Sequence, residues 1–85
     1  MIAGVVRDEK GAPVKGVRVY FTRAPVAIAD VAALTGADGT FALGAPADGS
    51  YTIECTAEGF AAVRTTVAVT RRDEEVEINL GRPSP

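Results

Sequence analysis

Hydrophobic and polar positions alternate with a period of two along most of the chain. Such alternation is typical of a β-strand that has one buried and one solvated face. It is clearest between positions 17 and 22, where the two sides are Val17, Val19 and Phe21 against Arg18, Tyr20 and Thr22. The pattern recurs over residues 2–6, 40–43, 51–57, 63–69 and 75–80, and a weaker segment covers 32–35. These segments predict about seven short strands.

Turn residues separate the predicted strands. Asp38-Gly39 and Asp48-Gly49 combine an aspartate with a glycine, which favours tight turns that need positive φ. No segment has the spacing of a long helix. The chain is therefore expected to be all-β, an antiparallel sandwich of about seven strands. We expect one domain over residues 1–80 and a tail or linker over 81–85.

Composition excludes several classes of chemistry. The 85 residues include no His and one Cys, Cys55. Catalysis by Ser-His-Asp or Cys-His is impossible within such a chain. One Cys supplies neither a zinc site nor an internal disulfide. We therefore expect no enzyme, no cofactor and no metal.

The charge pattern argues against nucleic acid and membrane partners. Lys and Arg total 9 and Asp and Glu total 11, which gives a formal net charge of −2. The basic pair Arg71-Arg72 runs directly into three acidic residues, so there is no basic stripe for a phosphate backbone. No apolar run approaches the roughly 20 residues of a membrane span. Residues 2–6 are expected to form a strand rather than a secretory signal peptide.

Some candidate residues are better explained by structure than by chemistry. Cys55 falls on an inward position and is expected to fill the core, as free Cys commonly does. Four glutamates could in principle pair as acid and base. Alternation instead places them largely on a solvated face, opposed by Arg18 and Arg64; they are Glu54, Glu58, Glu75 and Glu77. The Asp-Gly pairs lack the alternating oxygen ligands of a calcium loop and are expected to be turns.

Two features point to binding. Arg18, Tyr20 and Arg64 share the outer side of neighbouring strands and form a candidate patch for a glycan, peptide or small ligand. The segment 23–31 is unusually apolar for a loop, with Val26, Ile28 and Val31. Either these residues fold over an open end of the sandwich, or they form an exposed patch for a partner chain. An edge strand is a further place for a partner strand to pair.

Three motifs in this order resemble a known family. The first is Ile2-x-Gly4-x-Val6-x-Asp8 followed by Gly11-x-Pro13-Val14-x-Gly16-Val17-x-Val19. The second is Thr35-x-x-Asp38-Gly39-x-Phe41-x-Leu43, and the third is Gly49-x-Tyr51-x-Ile53-x-Cys55-x-Ala57-x-Gly59-Phe60. Together they resemble the carboxypeptidase regulatory-like domain, a transthyretin-like (prealbumin-like) Greek-key sandwich of seven strands. The resemblance covers residues 2–80. It implies an accessory module of peptidases, transporters and surface proteins that usually does no chemistry, in an extracellular or cell-surface setting.

Relatives of this fold that do perform chemistry use residues this chain lacks. Hydroxyisourate hydrolases use His and a C-terminal tetrapeptide, and intradiol dioxygenases bind iron through Tyr and His. Pilin and adhesin repeats form a Lys–Asn isopeptide beside a Glu. Glu54 and Asn79 superficially match two of those roles, but Val5 and Val6 stand where the reactive Lys belongs.

These observations predict a non-enzymatic structural or interaction module, an accessory or docking domain of a larger bacterial protein or assembly. The partner is expected to be another protein or the parent chain. Contacts are expected first at Val26, Ile28 and Val31, and second at Arg18, Tyr20 and Arg64. The alternative is a carbohydrate- or small-ligand-binding module that uses the outer sheet face.

Overall fold

A computed structural model of the chain describes residues 1–28, 32–70 and 73–82. Within these ranges there are seven strands and no helix, as the alternation predicted. The strands are β1 Ile2–Arg7, β2 Arg18–Arg23, β3 Ala33–Leu34, β4 Thr40–Leu43, β5 Gly49–Thr56, β6 Val63–Val69 and β7 Glu74–Asn79.

The strands form two sheets that pack as a sandwich. One sheet has the order β4-β1-β7 and the other has the order β3-β2-β5-β6. All neighbours pair antiparallel except β1 and β7, which are parallel. The antiparallel prediction was wrong for this pair. Alternation reports which face of a strand is buried and not its direction, and β7 reaches β1 by crossing from the other sheet rather than through a hairpin.

The core lies between the two sheets and is built from the inward residues of the strands. Its fully buried side chains are Ile2, Val6, Val17, Val19, Tyr51, Ile53, Cys55, Val69 and Leu80. Further residues pack around them from both sheets, among them Phe41, Leu43, Val67 and Ile78. The predicted inward face of β5 is confirmed, because Tyr51, Ile53 and Cys55 each have no exposed surface. Phe21 of β2 is only half-buried and lies towards one edge.

Thr35 is the one buried polar side chain among the described residues. Its hydroxyl accepts a hydrogen bond from the Val17 amide at 2.9 Å and donates one to the Val14 carbonyl at 2.7 Å. Its backbone amide donates to the Val17 carbonyl at 3.0 Å, and its carbonyl accepts from Gly16 at 3.0 Å. Thr35 therefore extends the short β3 and fixes it to β2 without leaving a buried polar atom unpaired.

Gly4 makes room for an aromatic ring in the smaller sheet. It pairs with Phe41 of β4, and a Cβ atom at position 4 would lie 2.6 Å from the Phe41 ring and 2.7 Å from the Val76 carbonyl oxygen. Both distances are shorter than van der Waals contact. The ring of Phe41 thus covers Gly4 and joins the core.

The end of the described chain is hydrogen-bonded to two loops. The Ala61 amide donates to the Gly81 carbonyl at 2.9 Å, and the Arg82 amide donates to Glu9 Oε1 at 3.1 Å. The remainder of the predicted tail, residues 83–85, lies outside the described residues.

We expect Gly4→Ala to destabilise the fold by about 1–3 kcal/mol, because the new methyl group must displace the Phe41 ring or the β7 backbone. Urea unfolding followed by circular dichroism measures this. Gly44→Ala is the matched control, since a Cβ there has no neighbour within 4 Å. Its effect should stay within about 0.5 kcal/mol. Equal stability of Gly4→Ala and the wild type would contradict this packing.

Cys55 should be chemically silent in the folded protein. Burial, with a smaller contribution from the Glu54 charge, raises the pKa of its thiol to about 11, so the reactive thiolate is scarce at neutral pH. A chromogenic disulfide reagent at pH 8 should label Cys55 only as fast as the protein unfolds in urea. An exposed thiol introduced as Ala12→Cys should react at once in the same assay. Immediate labelling of the wild type would show that Cys55 is accessible.

Candidate interaction site

A row of three polar side chains crosses the outer face of the larger sheet. Tyr20 on β2, Glu54 on β5 and Arg64 on β6 are direct cross-strand neighbours. The Tyr20 hydroxyl donates a hydrogen bond to Glu54 Oε2, and Arg64 Nε donates to Glu54 Oε1 at 3.0 Å. The predicted opposition of Glu54 and Arg64 is confirmed. Glu54 links the other two residues.

This row favours one protonation state for each member. The hydrogen bond from Tyr20, followed by that from Arg64, lowers the pKa of Glu54. The same bond to Glu54, with some desolvation, raises the pKa of Tyr20. Glu54 is therefore held as a carboxylate and Tyr20 as a neutral phenol. A general acid needs a carboxyl group with a raised pKa, which is the opposite arrangement.

Arg18 completes the patch predicted on this face. It lies on β2 between Leu34 of β3 and Thr56 of β5, and its charge acts to lower the pKa of Tyr20. The structure therefore brings Arg18, Tyr20 and Arg64 onto one surface. Two of the three are already bound to Glu54, so a ligand would compete with these internal hydrogen bonds. Glycan or small-ligand binding at this face stays a prediction.

An apolar groove lies at the edge of the sandwich where β3 and β4 meet. It has a volume of about 670 Å³. The described residues that line it are apolar or glycine: Phe21, Ala27, Ile28, Ala32, Ala33, Ala42, Leu43, Gly44, Ala45 and Pro46. Most of these side chains are small, which leaves an open, hydrophobic depression between the two sheets.

Aromatic residues fix the floor and one wall of the groove. The ring of Phe21 packs against that of Tyr51, with centroids 5.0 Å apart and planes tilted by 41°. The Tyr51 hydroxyl donates to the Ala47 carbonyl at 2.6 Å and accepts from the Ala47 amide at 3.2 Å. A core side chain thus holds the turn that follows Pro46 in place.

The loop after β2 forms the opposite wall. Pro25 packs on Gly49, where a Cβ atom would lie 2.8 Å from the proline ring, and Gly49 has φ of +143°. Ile28 is half-buried and lines the groove, whereas Val26 is 43% exposed. The loop thus combines the two predicted alternatives, since one residue covers the sandwich and the other faces solvent. Val31 lies outside the described residues.

The sequence pattern did not predict two parts of the apolar surface. Leu34 of β3 is 66% exposed and pairs with Arg18 on the outer face of the larger sheet, outside the groove. The segment from Ala42 to Pro46 supplies half of the residues that line the groove. Leu34 sits in a two-residue strand, too short for alternation to assign its face. The Ala42–Pro46 segment belongs to the other sheet, and no local pattern indicates that it meets the loop after β2. The run of small residues in this segment is the one sequence feature that could have indicated a depression there.

The other candidate chemistry is not assembled. The residues described contain no group of three or more His, Cys, Asp or Glu side chains that could hold a metal ion. Asn79 is exposed on β7 in the smaller sheet, whereas Glu54 belongs to the larger one. Within residues 1–28, 32–70 and 73–82 there is no helix of the length and apolarity needed to cross a membrane.

Replacing Tyr20 should loosen the hold on the Glu54 carboxylate. In Tyr20→Phe we expect the pKa of Glu54 to rise towards that of a free side chain, because the hydrogen bond that lowers it most is removed. A lowered pKa stabilises the fold above the unfolded pKa, and this contribution is lost as pH falls through the folded value. The variant should therefore lose less stability on acidification than the wild type.

Carbon-13 NMR titration of the side-chain carboxyl groups measures the change. Asp38 is the internal control, because hydrogen bonds from Thr40 lower its pKa in a turn away from Tyr20. Its titration should be the same in both proteins. An unchanged Glu54 titration in Tyr20→Phe would contradict the assignment.

Solved structures of similar fold include a chain of a docking complex, a pilin subunit and a dioxygenase. A chain of a type II cohesin–X-dockerin complex from Acetivibrio cellulolyticus aligns with a TM-score of 0.72 and 22% identity, over 93% of this chain and 55% of that chain. The major pilin subunit of Bacillus cereus aligns with a TM-score of 0.70 and 12% identity, over 96% and 29%. The 3-chlorocatechol 1,2-dioxygenase from Rhodococcus opacus aligns with a TM-score of 0.68 and 12% identity, over 96% of this chain and 58% of that chain.

At these identities the similarity concerns the fold alone. This chain spans a little over half the length of the cohesin–X-dockerin chain it aligns with. No curated protein matches it in sequence. Residues 1–81, however, match the family described as the carboxypeptidase regulatory-like domain. Because this match covers nearly the whole sequence, the chain belongs to the carboxypeptidase regulatory-like domain family.

Proposed function

We propose that this chain is a non-enzymatic docking domain of a larger protein or assembly. The observation that carries the proposal is the apolar groove of about 670 Å³ between β4 and the loop after β2. Its described lining has no charged side chain, and exposed Val26 stands on the loop that forms one wall. Such a surface favours an apolar contact with another protein.

The energetics favour a small, anchored contact. Burying one aliphatic side chain contributes about 1.5–3 kcal/mol. One or two apolar side chains of a partner that enter the groove, together with Val26 covered by the partner, form the kind of central cluster that dominates protein interfaces. The Tyr51 and Pro25 contacts hold both walls, so little ordering is needed when a partner binds.

The polar groups of the chain favour a non-catalytic role. Glu54 is held ionised between Tyr20 and Arg64, the Cys55 thiol is buried, and the sequence contains no His. His, Glu and Cys are among the side chains that most often serve as acid, base or nucleophile. Here Glu54 and Cys55 are engaged in the fold and His is absent from the sequence.

The similar structures supply a context for docking. One belongs to a cohesin–X-dockerin complex and another is a pilin subunit. Both proteins are parts of larger assemblies. A role of this chain within a larger protein or assembly accords with that context and with its membership of a regulatory-like family.

The double variant Val26→Asp/Ile28→Asp tests the groove. A photo-crosslinking amino acid at position 26 first identifies the protein that docks in the native host, with position 58 as the comparison site. The solution mass of the complex with that protein is then measured for the wild type and the variant. We expect the variant to lose about 2 kcal/mol of binding free energy, roughly thirtyfold in affinity, because two carboxylates enter an apolar interface.

Ala12→Asp/Ala37→Asp is the matched control, since it adds the same charge at exposed turn positions. It should keep the complex intact. Circular dichroism should show that both variants keep the β-sandwich. A complex of unchanged mass and affinity in Val26→Asp/Ile28→Asp would remove the groove as the docking site.

A further inference from the structure

The free edge of β6 lies at the far end of the larger sheet from β3. The direction of its backbone groups follows from the hydrogen bonds of β2. The Thr35 amide donates to the Val17 carbonyl, so the Val17 backbone points towards β3. Along an antiparallel strand, the backbone N–H and C=O groups of successive residues point alternately to the two neighbouring strands. The backbone groups of Arg18 and Tyr20 therefore point towards β5.

The same alternation carries across β5 to β6. Arg18 and Tyr20 pair with Thr56 and Glu54, so the backbone groups of these two β5 residues point towards β2. The backbone N–H and C=O of the intervening Cys55 therefore point towards β6, where Cys55 pairs with Val63. It follows that the backbone of β6 points outward at alternate residues, which are Arg64, Thr66 and Ala68. Each has one N–H and one C=O, so six groups lie along this edge. No hydrogen bond within the described residues engages them.

The other sheet edges are better protected against pairing. On β7, amide hydrogen bonds from Glu74 and Leu80 to β1 leave Glu75 and Glu77 to point outward, and both carry exposed carboxylates. Charges of this kind discourage strand pairing. The β3 strand has only two residues, and the Gly36 amide occupies the Thr40 carbonyl on β4. In contrast, β6 has seven residues, no proline and a single charge.

The side chains of β6 define the strand that would fit beside it. On the inner face, Val63 and Thr65 are only half-buried, whereas Val67 and Val69 are buried. A partner strand with apolar inward residues would cover the remaining surface. On the outer face, Arg64 gives only its Nε–H to Glu54. The terminal N–H groups of Arg64 can therefore bind a second carboxylate on the side of β6 opposite Glu54.

We propose that the β6 edge accepts an extended strand of a partner protein, which alternates apolar and polar residues and carries a carboxylate opposite Arg64. A second copy of this chain is the less suitable occupant. Antiparallel pairing of two β6 edges about Thr66 would bring the adjacent β7 edges side by side. Glu75 and Glu77 of one copy would then approach the same residues of the other, and like charges across strands are unfavourable. A single extended segment avoids this repulsion.

This proposal extends the role as an interaction module, but it does not depend on the groove, which lies at the opposite edge. The probe is a synthetic peptide with blocked ends that copies Gly49–Thr56 with Ser in place of Cys55. That segment already pairs with β6 on its other side and places Glu54 beside Arg64. A second peptide carries Lys in place of the glutamate.

Nitrogen-15 NMR of the whole chain, titrated with peptide to millimolar concentration, gives the readout. We expect shifts of the Arg64, Thr66 and Ala68 amides and slower hydrogen exchange at these three positions. The Lys peptide should bind roughly fivefold more weakly, as expected for loss of a cross-strand ion pair. Thr66→Pro should weaken binding at least tenfold, because it removes an outward N–H and adds a ring that blocks the edge.

Glu77→Pro is the matched control, since it places a proline at an outward position of the other open edge. It should bind the peptide like the wild type, and both proline variants should keep the wild-type circular dichroism spectrum. Three results would each overturn the proposal: no binding, shifts confined to β7 or the groove, or equal binding by Thr66→Pro. Shifts of Arg64, Thr66 and Ala68 on concentrating the protein alone would assign the edge to a second copy instead. Val26→Asp/Ile28→Asp should bind the peptide normally, which separates this test from that of the groove.

Discussion

The stability of this protein depends on a single layer of apolar side chains held between sheets of three and four strands. With so thin a core, each inward residue contributes strongly, and the polar atoms that enter it must all be bonded. Tyr51 shows how this requirement shapes the surface. Its ring is buried in the core, and its hydroxyl reaches the backbone of Ala47 at the end of the sandwich. The requirement that a buried hydroxyl be paired thereby fixes one wall of the groove.

Two small sheets that do not close into a barrel also leave four strand edges, and the chain treats these edges differently. Thr35 fixes the short β3, and the β3–β4 side opens into an apolar depression. On the other side, β7 is acidic whereas β6 is long and nearly uncharged. One side thus offers side-chain burial and the other offers backbone hydrogen bonds. These are two different physical means of holding a partner.

Much of the fold could be predicted because a half-buried strand encodes its faces locally. The alternation around Val19 and Ile53 placed the core correctly, and the same pattern placed Glu54 and Arg64 on the outer face. The parallel pairing of β1 with β7 could not be predicted in this way, because strand direction depends on a crossover between sheets. The groove was equally hidden. It forms where the loop containing Ile28 meets residues 42–46, and only the tertiary structure brings these segments together.

The contact between Pro25 and Gly49 separates two parts of the loop after β2. The base is locked, because any larger residue at position 49 would collide with the proline ring. The tip at Val26 has no such constraint and stands in solvent. Amino acid changes at the tip therefore alter the shape and polarity offered to other molecules while the scaffold beneath keeps its geometry. The surface of this loop can thus diversify without repeated redesign of the core, because the contact that holds its base lies beneath it.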